Sequence, residues 1–261
     1  MALPKLNILV PVKRVIDYSV TPKLNADKTL KITNFAINPF DDIAVEEALK
    51  LKKLSDKLAT KVNVVTITNN YENDLKGLKS ILVNSMAKGA DEVKILSVNN
   101  SKGYDLSPLS IAKLLKNEVT KNDYNLVICG KQAIDDDSGN VGSMLAGLLN
   151  WKQANNCCKV EREENKFKLT KEIDNGEQVV EGELPMVLTT DLRLNVPKYA
   201  PLPKIMKVKN KPIKVEEVSI DDIENKQATI TEYMEPPSKK QGKIFTSVDE
   251  LFTQLKNDKV I

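Results

Sequence analysis

The chain contains no histidine. That removes the commonest general base and the commonest nitrogen ligand for metals, so any catalytic reading rests on Asp, Glu, Lys, Tyr or Cys. Cysteine is scarce: of the three, Cys157 and Cys158 are adjacent, which gives neither a disulfide framework nor metal-ligand spacing and points to a reducing compartment. A dominant sign of charge is missing as well. With 39 Lys+Arg against 36 Asp+Glu the net charge is only +3, too balanced for a dedicated nucleic-acid binder, so any basic surface must be local. No apolar run approaches the length of a membrane span, so the chain is not expected to be membrane-embedded. The segment Leu6–Val12 is interrupted by Pro11 and followed by Lys13-Arg14, and it reads as a first strand, not a signal peptide. What is present is bulk: 261 residues with 41% hydrophobic content can bury a full core, in one large domain or a domain plus an appendage.

Short apolar runs alternate with helical patterns, which predicts an α/β fold with a parallel sheet covered by helices. The first strand is Lys5–Val12. A hairpin is expected around Asn25-Ala26-Asp27, and Asn38-Pro39 opens a helix with Asn as N-cap, Pro at the first helical position and Asp41 in the first turn. The inner face of that helix is Phe40, Ala44, Ala48 and Leu51. Strand two is Val62–Ile67, followed by a helix with Leu75, Leu78, Leu82 and Met86 inward that ends at Gly89. Strand three is Glu92–Val98, and a helix capped by Ser107-Pro108 turns Leu109, Ala112, Leu115 and Val119 inward.

The fourth strand, Leu126–Cys129, runs into Gly130-Lys131-Gln132-Ala133-Ile134-Asp135-Asp136-Asp137-Ser138-Gly139-Asn140 before a helix carrying Met144, Leu145 and Leu148. Free backbone N–H groups at that helix start would face the carboxyl end of the strand, a geometry suited to phosphate. Three successive aspartates would repel a phosphate unless they turn away, and their natural partners are ribose hydroxyls or a basic side chain. The same residues also read as an acidic turn capping a helix. Because ligands of open parallel sheets sit beyond the strand carboxyl ends, Pro11, Asn38–Phe40, Ile67 and Gly130–Asn140 should converge.

After Trp151 the texture changes to Lys159–Arg162, Lys166–Lys171 and Glu177–Glu183, with turn signals at Asn165 and Asp174-Asn175-Gly176, which predicts a small antiparallel layer. Pro185–Thr190 is apolar enough to return to the main sheet. Residues Arg193–Lys214 interleave four prolines with six lysines and read as an exposed, stiffened loop. Glu235-Pro236-Pro237 reads as a linker, and Ser247-Val248-Asp249-Glu250 is a capping box opening a helix with Leu251, Phe252 and Leu255 on one side.

The segments Val12-Lys13-Arg14-Val15-Ile16-Asp17-Tyr18, Asn38-Pro39-Phe40, Ile43-Ala44-Val45-Glu46-Glu47-Ala48, Gly130–Asp137 and Asp191-Leu192-Arg193-Leu194-Asn195 resemble the beta subunit of electron transfer flavoprotein, of the fungal, mitochondrial type. The resemblance runs in order through essentially the whole chain. It implies a Rossmann-like sheet of the adenine nucleotide alpha hydrolase kind, an AMP-binding domain over 1–235 with a partner-docking loop at 191–214, and a C-terminal arm over 236–261 that packs on an alpha subunit. It further implies a heterodimeric electron carrier without catalytic turnover of its own, holding one FAD mostly through alpha and one AMP through beta. Electrons would enter from acyl-CoA dehydrogenases and leave to a membrane-bound quinone oxidoreductase, in the mitochondrial matrix. AMP would lie against Pro11, Asn38, Pro39, Phe40, Asp41 and Ile67, with Gly130, Lys131, Gln132, Ala133, Ile134, Asp135, Asp136, Asp137, Ser138, Gly139, Asn140 and Val141 wrapping ribose and phosphate. Tyr18 matches the position that approaches the flavin from the beta side, and Leu202 with Lys198, Lys204 and Lys207 would meet the dehydrogenase.

Two features depart from the pattern. Many relatives carry a threonine where this chain has Val141, leaving phosphate to the backbone N–H groups, and animal relatives carry cysteine at Ile67. The alternative class is a nucleotide-hydrolysing or adenylating enzyme using Asp135–Asp137 to hold Mg²⁺, although no Gly-x-x-x-x-Gly-Lys-Ser/Thr loop occurs. A third is an interaction module with a vestigial loop.

Overall fold

The computed structural model describes residues 5–31, 34–54, 60–99, 106–163, 166–219, 231–237 and 242–261. In chain order these form β1 (Asn7–Pro11), β2 (Arg14–Ile16), β3 (Lys23–Leu24), β4 (Leu30–Lys31), β5 (Phe35–Ile37), α1 (Pro39–Leu54), β6 (Lys61–Thr68), α2 (Tyr71–Lys88), β7 (Glu92–Asn99), α3 (Pro108–Lys121) and β8 (Leu126–Gly130). The second half adds α4 (Val141–Leu149), β9 (Lys152–Glu163), β10 (Lys166–Ile173), β11 (Gly176–Glu183), β12 (Met186–Thr190), α5 (Leu202–Val208), β13 (Lys214–Ser219) and α6 (Val248–Asn257). Of the described residues, those within 1–22 and 32–230 make one compact unit, and those within 23–31 and 231–261 make a second.

The first unit is a Rossmann-like α/β fold built on one nine-stranded sheet, in the order β11-β10-β9-β12-β8-β1-β6-β7-β13. From β9 to β13 all neighbours run parallel, and β10 and β11 extend the β9 edge antiparallel. The antiparallel strands thus continue the main sheet through the pairing of β9 with β12. The all-apolar runs of the central strands follow from cover on both faces. Leu6, Ile8, Val10, Val62, Val64 and Ile128 pack on one side, under α1 and α2, while Leu9, Val65, Val127 and Leu145 pack on the other, with Ala112 and Leu115 of α3.

Helix α1 is buried more widely than its expected stripe, with Ile43, Val45, Glu47 and Leu49 joining Phe40, Ala44, Ala48 and Leu51. Helix α2 stops at Gly89, whose φ of 132° puts it in a region that glycine tolerates and whose N–H closes on Ser85 and Met86. Ser107 caps α3 through Ser110 N–H. One inward assignment fails there: Leu109 is 38% exposed, and Leu114 is buried instead.

The Arg193–Lys214 stretch is not wholly loop. Pro201 is the N-cap of α5, and Pro203 sits within its first turn, where a missing N–H costs nothing. Strand β13 follows and pairs with β7, where Lys94 of β7 reaches Glu216 of β13 at 3.3 Å as well as Glu118 of α3 at 2.6 Å. The Asn165 turn signal lies outside the described residues.

In the second unit, β3 and β4 form the expected hairpin. Residues Glu235-Pro236-Pro237 are exposed, and residues 238–241 of the expected arm lie outside the described set. The capping box is formed: Ser247 Oγ accepts Glu250 N–H at 3.2 Å, and Glu250 reaches back to Thr246 N–H at 3.1 Å. No residue of α6 is buried within this chain. Among the described residues no helix is long and apolar enough to cross a membrane.

Candidate functional site

Strands β1, β6 and β8 end at the same rim, and α1 begins there, so Pro11, Ile67, Gly130 and Pro39 are brought to one end of the sheet. Asp41 ties the rim together. Its Oδ2 accepts Lys13 N–H at 2.8 Å and its Oδ1 accepts Gly130 N–H at 3.2 Å, which joins the segment after β1 to the end of β8. Burial pushes the Asp41 carboxyl up to about 7, against the opposing pull of the Lys13, Asn38 and Gly130 hydrogen bonds and of the Lys13 charge. Asn38 does not serve as a side-chain cap. Its carbonyl accepts the Asp41 and Asp42 N–H groups, while Nδ2 donates to Gln132 O at 2.8 Å and Oδ1 accepts Ile134 N–H at 3.3 Å. The helix start thereby holds the loop after β8.

That loop is shaped by close approach and by unusual backbone. A Cβ at Gly130 would fall 2.2 Å from Asp41 Oδ1 and 2.8 Å from Phe40 Cβ, so only glycine lets β8 pass this close to α1. Asp137 and Gly139 have φ of 50° and 61°, and the chain turns there into α4. Gly142, in the first turn of α4, lies against Thr189, where a Cβ would stand 2.4 Å from Cγ2. The Thr190 hydroxyl donates to Phe40 O at 3.0 Å and closes the far side.

The three aspartates all turn to partners within the chain. Lys13 Nζ reaches Asp135 Oδ1 at 2.8 Å and Asp136 Oδ2 at 3.4 Å, and Gln132 Nε2 donates to Asp137 Oδ1 at 2.8 Å. The basic side chain expected for them is therefore Lys13, separated from them by more than a hundred residues. Asn140 is the N-cap of α4 but makes no side-chain cap bond, so the helix presents an uncapped N-terminus beside the loop. An anion fits this arrangement, because helix N–H groups are available and the neighbouring carboxylates are turned to Lys13 and Gln132. A divalent cation fits poorly: among the described residues no group of three Cys, Asp or Glu side chains is arranged to hold a metal. Lys131 Nζ turns away to Asp191 Oδ2 at 3.1 Å.

Away from the loop, Tyr18 is 78% exposed just past β2, in a ribbon with β5. Arg14 anchors that ribbon, pairing with Asp74 of α2 and lying 3.6 Å over the Phe35 ring. Leu202 is 70% exposed at the start of α5, with Lys198 and Lys204 nearby in sequence and also exposed. Burial pushes the Cys157 thiol up to about 12 and raises Cys129 and Cys158 as well, which disfavours the thiolate at all three. Lys13 and Thr190 are the rim residues that sequence reasoning missed. The dibasic Lys13-Arg14 following a strand, in a chain whose other strand ends in three aspartates, was the available signal.

Residues 31–221 match the model of the electron transfer flavoprotein domain. A Saccharomyces cerevisiae protein named probable electron transfer flavoprotein subunit beta is 46% identical, covering 100% of this chain and 99% of its own length. An Oryza sativa subsp. indica protein named electron transfer flavoprotein subunit beta, mitochondrial, is 41% identical over 97% of this chain and 98% of its own. The corresponding Mus musculus subunit beta is 35% identical over the same shares of each chain.

Proposed function

This chain belongs to the electron transfer flavoprotein family as a beta subunit, and from that premise we propose that it forms a heterodimeric electron carrier with an alpha subunit, binding AMP itself and sharing one FAD. AMP takes a structural role at the rim. Its phosphate takes the N-terminus of α4 and its ribose lies along Gly130–Val141, with Pro11, Asn38–Asp41 and Ile67 forming the opposite wall. The observation that carries this reading is the uncapped start of α4 beside three aspartates that are already bonded elsewhere. Among the described residues, the charged groups nearest the loop are already engaged: Lys13 is held by Asp135 and Asp136, and the Asp41 oxygens both face backbone N–H groups. The flavin supplies one- and two-electron redox chemistry when bound. The contribution of this chain is to present the exposed Tyr18 toward it from a ribbon that Arg14 fixes to α2.

Electrons arrive from acyl-CoA dehydrogenases that dock on Leu202 and the surrounding lysines, and leave to a membrane-bound quinone oxidoreductase in the mitochondrial matrix. Val141 removes a hydroxyl from the phosphate wall and leaves that contact to the backbone. Denaturing the purified heterodimer and separating the released small molecules by chromatography is expected to yield AMP and FAD in equal amounts. Recovery of FAD without AMP, or of ADP made from added ATP and Mg²⁺, would overturn the structural-AMP reading in favour of the interaction module or the hydrolase respectively.

A further inference from the structure

Between Asn195 and α5 the chain holds apolar side chains out in water: Val196 is 86% exposed, Tyr199 98% and Leu202 70%. A docking interface this small gains usable affinity only if the segment is ordered before the partner arrives. Its C-terminal end is anchored by Val208, buried against Val83 and Ala87 of α2. At its N-terminal end Leu194 is the last buried apolar residue, and the next side chain makes a polar fork. Asn195 Nδ2 donates to Ile43 O at 3.2 Å and to Glu47 Oε2 at 3.1 Å, and Lys198 N–H donates to Glu46 Oε2 at 3.3 Å. Glu47 is fully buried within α1, its other oxygen taking Lys50 Nζ at 3.0 Å. A buried carboxylate is a weak way to stabilise a helix face otherwise made of Ala44, Ala48 and Leu51. Its bond across to Asn195 gives it a different use.

We propose that Glu47 and Asn195 are positioning residues for the dehydrogenase-docking segment, fixing the direction in which residues 196–202 leave the body and so the place of Leu202. This inference rests on the reading that a dehydrogenase docks there. It predicts that the clamp changes encounter with the partner and leaves the flavin alone.

The test uses the intact heterodimer, with electron transfer from an acyl-CoA dehydrogenase measured as KM for the carrier and kcat, well below the lowest melting temperature. Glu47→Ala and Asn195→Asp, the latter setting a carboxylate against Glu47, are expected to raise KM severalfold with kcat, flavin spectrum and AMP content unchanged. Glu47→Gln keeps an acceptor for Asn195 and should restore KM towards the parent. If the clamp acts through Leu202, combining Glu47→Ala with Leu202→Ala raises KM no further than Leu202→Ala alone; should Glu47→Ala fail to fold, the same comparison is made with Asn195→Asp. A parental KM for the clamp variants while Leu202→Ala is impaired would overturn the clamp, as would additive effects in the double variant. A parental KM for Leu202→Ala would instead overturn the docking reading itself.

Discussion

At Asp41 two backbone N–H groups favour the carboxylate and complete burial opposes it; burial prevails, and the group titrates at about 7 instead of 3.8. The native state therefore keeps a proton that the unfolded chain releases between about pH 4 and pH 7. Its contribution to the unfolding free energy falls as pH rises through that window, by on the order of 4 kcal/mol, and is level above it. Denaturant unfolding at pH 5 and pH 8 should show about 2–3 kcal/mol of this loss in the parent, and Asp41→Asn should shrink the difference between the two. An equal difference in both proteins would remove Asp41 as its source. Glycine supplies a second pair of outcomes. Gly130→Ala forces a methyl onto Asp41 and Phe40 and is expected to cost about 1–3 kcal/mol, with AMP lost on purification. Gly147→Ala, in the helix with nothing within 4 Å of the new Cβ, should instead raise stability by about 0.5–1 kcal/mol. Thermal melts with nucleotide analysis read both.

Helix α6 is ten residues long and has no fully buried residue, and Val248, Leu251 and Phe252 stand exposed on it. Even with a capping box a helix of this length is marginal alone in water. Truncation after Pro237 is therefore expected to weaken assembly with the alpha subunit and lower FAD retention, measured by co-purification and flavin absorbance; unchanged assembly would show that the arm docks elsewhere. The helices and central strands were legible because their apolar spacing is a local property. Strand β13 was not: Lys214–Ser219 is short, half charged and adjacent to lysines and prolines, and only its pairing with β7 makes it a strand. Helix α5 was hidden by prolines that normally break helices but here occupy its first turn. At the rim, the sequence marked Gly130 and the aspartates but not what they touch. The contacts of Gly130 with Asp41 and of Asp135 with Lys13 join residues 89 and 122 positions apart, which no window along the chain can see.

Across the molecule charge nearly cancels to +3, yet Lys198, Lys204, Lys207, Lys209 and Lys211 gather in one stretch. Attraction between such a patch and an acidic partner speeds encounter and is screened beyond about 8 Å at physiological salt. Stopped-flow transfer from the dehydrogenase should slow as ionic strength rises, and Lys204→Glu with Lys207→Glu should flatten that dependence while leaving AMP content alone. A salt-independent rate would exclude electrostatic steering. The order of strands in the sheet also bears on how the chain is made. Strand β12 lies between β8 and β9 in space but follows β9, β10 and β11 along the chain. During synthesis the three-stranded meander is complete at Glu183 with one edge of β9 bare, and Met186–Thr190 then fills the place between it and β8. At about 5–20 residues per second, Thr190 is added to the nascent chain within about a second of Glu183. The ribosome thus supplies the stitching strand almost as soon as the edge it must cover exists, so the meander has little time to pair with a neighbouring nascent chain.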